Sequence, residues 1–271
     1  MQSYRLTRLR TLLLALLAVF AFGAISAAAA QAEEAPFWTV PKSEGSSETK
    51  RLAAGETRFI TAKTYNETQL ESPGLKVKVK CPVVKLKEGV LLGSNAGEPG
   101  KDDEIIEFEG GCKQEGNGEA CKVTEPIKTV HVKSELVENV EGGAAGKKLY
   151  TEFFPETGAK FTTIVFTGTC KTKEIAVEGS VAAEVRGDPN KAPELGEIVE
   201  LPNRNKVAKS WLLNFPATPI KEVWLIKAEK GAAAKTELKA ATEPATFTGA
   251  VLVLLANAKG ESVEENWSPL P

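Results

Sequence analysis

The sequence predicts an all-β protein, an antiparallel sandwich or irregular barrel stapled by two disulfides. Three observations predict it. Apolar residues recur with a period of two, Leu75, Val77, Val79 and Cys81 alternating with Lys76, Lys78 and Lys80. Gly, Pro and Asn clusters cut the chain into strand-length pieces. Four cysteines, Cys81, Cys112, Cys121 and Cys170, follow an export-like N-terminus. An even cysteine count in an oxidising compartment reads as a disulfide framework.

Taken in order, Glu33–Glu56 is polar and reads as a loose N-terminal segment, with Phe37-Trp38 as the residues suited to docking on the body. Residues 57–271 read as one β-rich domain. Leu75–Cys81 is a half-buried strand with lysines on its outer face. After Pro82 the apolar positions move to Val84 and Leu86. A one-residue register change beside a proline predicts a bulge or an edge position. Further strands are expected over Glu104–Phe108, Ile127–Val140, Leu149–Phe154, Phe161–Phe166, Glu174–Val185, Glu197–Leu201, Ser210–Phe215, Glu222–Lys227, Lys235–Ala240 and Ala245–Ala256. Turns punctuate them at Gly97–Gly100, Gly142-Gly143, Pro155–Gly158, Asp188–Asn190 and Pro216–Pro219. Val207, Trp211 and Phe215 recur at helical spacing, but Trp211, Leu213 and Phe215 also fit a strand, which is the preferred reading. Arg186–Gly196 is rich in Pro, Gly and charge. It reads as a long loop, with a sub-domain boundary near 187–196 as the alternative.

The chain has 271 residues, 34 Lys and Arg against 36 Asp and Glu, and 42% hydrophobic residues, enough for a sizeable core. Arg5, Arg8 and Arg10 precede an uncharged Leu/Ala-rich run from Leu12 to Ala30. Ala30-Gln31-Ala32 then supplies a small-x-small cleavage pattern. Residues 1–32 are therefore expected to be a signal peptide and the protein to be secreted or held at the cell surface. An uncleaved anchor is the alternative, since the run is just long enough to span a bilayer. Cys81 is the first cysteine, which argues against a lipoprotein anchor. Val251–Leu255, the longest later apolar run, is strand length, so no membrane association is expected after cleavage. Losing the three arginines takes the formal charge from −2 to −5. That leaves no electrostatic footprint for nucleic acid.

Two features bear on cysteine pairing. Cys81 and Cys112 flank a hairpin whose turn lies near Gly97, so they fall opposite each other. Phe-x-Gly-x-Cys occurs twice, at Phe108–Cys112 and Phe166–Cys170, as if each copy closed a loop opened by the cysteine before it. Cys81–Cys112 with Cys121–Cys170 is the favoured connectivity. Cys112–Cys121 across Gly116-Asn117-Gly118, leaving Cys81–Cys170, is the rival. The pairs are not Cys-x-x-Cys, so zinc is disfavoured.

Little else points to chemistry. His131 is the single histidine. It reads as a solvent-facing strand residue sharing a face with Thr129 and Lys133, without a free Cys or a nucleophile elbow to serve. Asn95, Glu98, Asp102, Asp103 and Glu104 form one acidic loop, read as a solvated hairpin turn because it lacks calcium-loop spacing. Trp211 and Trp224 read as core, and Trp38 and Trp267 as pins for the two termini. Asn66-Glu-Thr68 and Asn266-Trp-Ser268 match the glycosylation acceptor pattern. No phosphate loop or cofactor fingerprint is present. No catalytic, cofactor or metal residue is assigned; the cysteines are the only site residues.

Cys-Pro-Val-Val-Lys-Leu-Lys-Glu-Gly (81–89), Glu-Pro-Ile-Lys-Thr (125–129), Val-Glu-Gly-Ser-Val-Ala-Ala-Glu-Val (177–185), Phe-Pro-Ala-Thr-Pro-Ile-Lys-Glu-Val-Trp (215–224) and Trp-Ser-Pro-Leu-Pro (267–271) resemble a set of small exported proteins of soil actinobacteria. The set has no known activity. The resemblance implies a bacterial, exported protein with paired cysteines and no glycosylation at the two acceptor sites. The expected function is a non-enzymatic exported β protein, cell-wall-associated, adhesive or ligand-binding, with a wall polymer or extracellular protein as partner. The alternative is an extracellular carboxylate-dependent hydrolase, which a buried pair of acids in a cleft would favour.

Overall fold

The computed structural model describes residues 35–46, 48–139, 148–186, 199–200, 206–207, 210–215, 223–224, 233–234, 236–263 and 265–270. The expected signal over 1–32, the 187–196 loop and the turns at 142–143 and 216–219 lie outside them, as does the side chain of Trp224. The strands expected at Glu197–Leu201, Glu222–Lys227 and Lys235–Ala240 are described in part. Among the described residues there is no helix.

Eight antiparallel strands close a barrel. They are β1 (Thr57–Ser72), β2 (Val83–Leu92), β3 (Lys101–Glu109), β4 (Val132–Asn139), β5 (Lys148–Pro155), β6 (Val181–Arg186), β7 (Ser210–Phe215) and β8 (Thr246–Leu255). Each strand pairs with the next in the chain, and β8 returns to β1. This is an up-and-down barrel, the architecture that removes open sheet edges. The barrel alternative is thus the one adopted. Strands on either side of the 187–196 loop pair directly, Glu184 opposite Asn214, within this barrel.

Period-two alternation builds the interior. Trp211, Leu213 and Phe215 of β7, Phe247, Val251 and Val253 of β8, and Ile106 and Phe108 of β3 face the lumen. Three side chains on alternate positions of Ser210–Phe215 settle the strand reading there. Pro82 ends the strand Val77–Cys81, which pairs with β1 and with Lys113–Glu115 outside the barrel; β2 then resumes the barrel wall. Glu174–Val185 is broken at Ser180, its first half entering a second sheet and its second half the barrel. Gly179 takes a φ of +109°, and a Cβ there would lie 1.7 Å from the Glu237 carbonyl oxygen, so only glycine fits.

Both mouths are covered. At one, Thr49–Arg51, Phe37–Pro41 and Ser268–Leu270 form a three-stranded sheet. Trp38, Val40, Leu52 and Trp267 are buried there, so this part of the 33–56 segment is ordered rather than loose. The hydrophobic effect explains the difference, because four large apolar side chains outweigh the polar flanks. At the other mouth, a sheet of Cys121–Val123, Lys160–Gly168, Glu174–Gly179, Leu238–Ala240 and Glu243–Pro244 packs Phe161, Ile164 and Val177 into the barrel core.

Cys81 bonds Cys112 and Cys121 bonds Cys170, the favoured connectivity. The two Phe-x-Gly-x-Cys copies do the same job. Each phenylalanine lies near the end of a strand, and Gly110 and Gly168 take φ of +91° and +88° before the cysteine. Four paired cysteines are consistent with an oxidising environment.

Candidate functional site

The turn before β3 is short and well held. The Asn95 amide and backbone N–H donate to the Glu98 carboxylate, and the Arg51 guanidinium donates to the Asn95 carbonyl at 2.6 Å. The strand therefore begins at Lys101, three residues earlier than the apolar pattern predicts. Strand alternation then sorts the supposed acidic loop. Asn95 and Glu98 stay in the turn, Asp103 points outward, and Asp102 and Glu104 point into the barrel. This corrects the reading of those two acids as solvated: they are 5% and 1% exposed.

The register of β3 with β4 places Ser134 opposite Asp102. Ser134 is fully buried and its hydroxyl lies 2.7 Å from the Thr151 hydroxyl of β5. Ser134 and Glu104 both approach the Asp102 carboxyl. No donor reaches Asp102 Oδ1 or either oxygen of Glu104. These three oxygens are satisfied only by a proton shared between the carboxyls or by a donor from outside the chain.

Both residues line a cavity of about 50 Å³. Trp38, Trp211 and Trp267 line it, together with aliphatic residues of six strands. Trp38 and Trp267 have ring centroids 5.7 Å apart. Their neighbour Trp211 donates its indole N–H to the Trp267 carbonyl at 2.9 Å, and Trp38 donates to the Lys101 carbonyl at 2.8 Å. Both N–H groups are thus engaged with backbone and unavailable to the acids. Four phenylalanines form the floor: Phe108 on Phe247 at 5.7 Å, Phe247 on Phe215 at 4.9 Å, and Phe215 on Phe153 at 5.8 Å. Beyond this floor lies a second cavity of about 90 Å³, and no charged side chain lines it among the described residues.

Burial pushes the Asp102 carboxyl up to about 6, with the Ser134 and Glu104 hydrogen bonds opposing the rise. Burial, followed by the Asp102 charge, holds Glu104 well above the usual carboxylate range. Two buried carboxyls this close hold a proton more tightly than a free carboxylate does. Such a pair can accept N–H or O–H donors, hold a monocation or store a proton. A cavity of about 50 Å³ is far below the size of a usual sugar-binding pocket.

The other sequence candidates lie apart. The His131 ring is 45% exposed, with Nδ1 3.2 Å from Asp103 and Nε2 3.8 Å from Glu88. The chain leaves regular strand geometry between Lys128 and Val132, so Thr129 turns inward and Val130 outward, unlike the predicted alternation. Among the described residues no group of three or more His, Cys, Asp and Glu is placed to hold a metal ion. Asp102 and Glu104 share the parity of Ile106 and Phe108, and that was the legible signal for their burial. Ser134 and Thr151 carried none. No family model, no curated protein and no solved structure matches this chain.

Proposed function

We propose that this is an exported, non-enzymatic ligand-binding protein whose barrel interior receives a small molecule. The observation that carries the reading is the buried acid pair lining the lumen, with three carboxyl oxygens that find no partner outside the pair. A buried acceptor without a donor costs about 1–3 kcal/mol, more when charged, and a bound donor recovers that cost. An eight-stranded barrel is just wide enough to enclose one small ligand. Export is supported by the basic, apolar and Ala-x-Ala pattern of residues 1–32 and by the paired cysteines. The size of the chamber weighs against the hydrolase alternative.

Two measurements test this. The intact non-reduced mass of protein recovered from outside the producing cells should lack residues 1–32 and four thiol hydrogens. Thermal-shift screening of small polar molecules should find ligands whose effect disappears when Ala62→Val fills the lumen. Stabilisation that survives Ala62→Val places the ligand outside the barrel and overturns the proposal.

A further inference from the structure

Resting on the reading of the lumen as a ligand site, we infer that the Asp102–Glu104 pair binds the ammonium group of a compact monocation, the size of ammonium or methylammonium.

Four features of the chamber point to that class. The first is the donor–acceptor balance. Asp102 Oδ1 and both Glu104 oxygens lack donors, and the neighbouring indole N–H groups are engaged elsewhere. An alkylammonium brings three N–H donors and no acceptor, which suits a carboxyl pair with more acceptor than donor capacity. The second is charge. A carboxyl pair that shares one proton carries a single negative charge, which one positive charge neutralises. A divalent ion would stay uncompensated and would find no third carboxylate among the described lining residues.

The third is the wall. Trp38, Trp211 and Trp267 surround the acids, and the faces of aromatic rings attract cations, most strongly when these are desolvated. A methyl group on the nitrogen would rest against the same rings. The fourth is volume. A chamber of about 50 Å³ is small and suits a compact ion. A tetramethylammonium ion is too large.

Asp102 and Glu104 are the titratable side chains lining this chamber among the described residues. The strand facing them from β4 presents neutral Ser134, β5 presents neutral Thr151, and the covering sheet presents Trp38 and Trp267. Asp103 acts from the outer side of the same strand, raising both acids.

The test uses the full chain with both disulfides intact and ¹³C-methylammonium chloride, followed by NMR and calorimetry near pH 7.5. The expected result is saturable binding of one equivalent, competed by ammonium but not by tetramethylammonium. Affinity should fall about tenfold or more in Asp102→Asn, which removes the charge. It should fall comparably in Ala62→Val, which keeps both acids but fills the space. Below about pH 6 it should weaken as Asp102 takes up a proton. Binding retained in Asp102→Asn, or equal competition by sodium or potassium, overturns the assignment. Xenon serves as an apolar probe of the lumen. Xenon entering without methylammonium overturns the ammonium class and leaves the ligand-binding reading standing; neither entering overturns both.

Discussion

Replacing Asp102 by Asn removes a buried charge and preserves the shape of the side chain. In the folded chain the Asp102 carboxyl is pushed up to about 6, against 3.8 for the free group, with burial as the main cause. The folded state therefore holds this proton to higher pH than the unfolded chain does. Between about 3.8 and 6 the native protein binds more protons than the unfolded one, so stability falls as pH rises through that window and stays low above it. At about 1.4 kcal/mol per pKa unit, the penalty at neutral pH is about 3 kcal/mol. Asn does not titrate. Its amide N–H faces Glu104 and its oxygen remains available to Ser134. The variant should be more stable than the parent by about 3 kcal/mol near pH 7.5, about 6–12 °C in Tm for a domain of this size. Near pH 3.5 the advantage should vanish. Guanidinium unfolding followed by tryptophan fluorescence at both pH values measures it, in buffer free of amines. Equal or lower stability near pH 7.5 refutes the burial argument. A gain that persists near pH 3.5 shows that charge was not its source.

Three other outcomes follow from the same structure. The disulfide loops span 31 and 49 residues without overlapping, and the chain-entropy relation gives about 4 kcal/mol for each. Replacing either pair by serine should lower the unfolding free energy by about that much, and a loss below about 1 kcal/mol contradicts the loop argument. Asn117 is fully buried, and its amide spans to Thr172, donating to the carbonyl and accepting from the N–H, both at 2.8 Å. Asn117→Ala leaves both backbone groups without that partner and should cost about 2–4 kcal/mol, readable as a lower denaturant midpoint. Trp267 is 2% exposed and packs on Trp38 over the acid chamber. Trp267→Ala should cost about 3–5 kcal/mol and open the lumen, which faster exchange of the β3 and β4 amides would report.

Much of the scaffold was legible because strand alternation is a local property. The lysine and valine alternation around Val77, the break at Pro82 and the strand at Ser210–Phe215 needed only neighbours in sequence. The repeated Phe-x-Gly-x-Cys led to the cysteine pairing because a strand end, a left-handed glycine and a cysteine are also local. The site was harder to read. Asp102 and Glu104 are polar, and a polar residue after a Gly/Pro turn reads as solvated unless the strand is known to start at Lys101. Ser134 lies 32 residues further on and enters the site only through the β3–β4 register.

By itself the sequence determined the strand class, most turn positions, the disulfide framework and the export-like N-terminus, since each depends on residues close in the chain. The tertiary structure decided that the sheet closes on itself, that the strands Phe37–Pro41 and Ser268–Leu270 cover one mouth with Trp38 and Trp267, and that two acids face each other in an apolar chamber. Those outcomes depend on pairings between residues far apart, such as Phe37 with Leu270 and Thr57–Ser72 with Thr246–Leu255. Burial raises the acids because closing the barrel removes the water that would have ionised them.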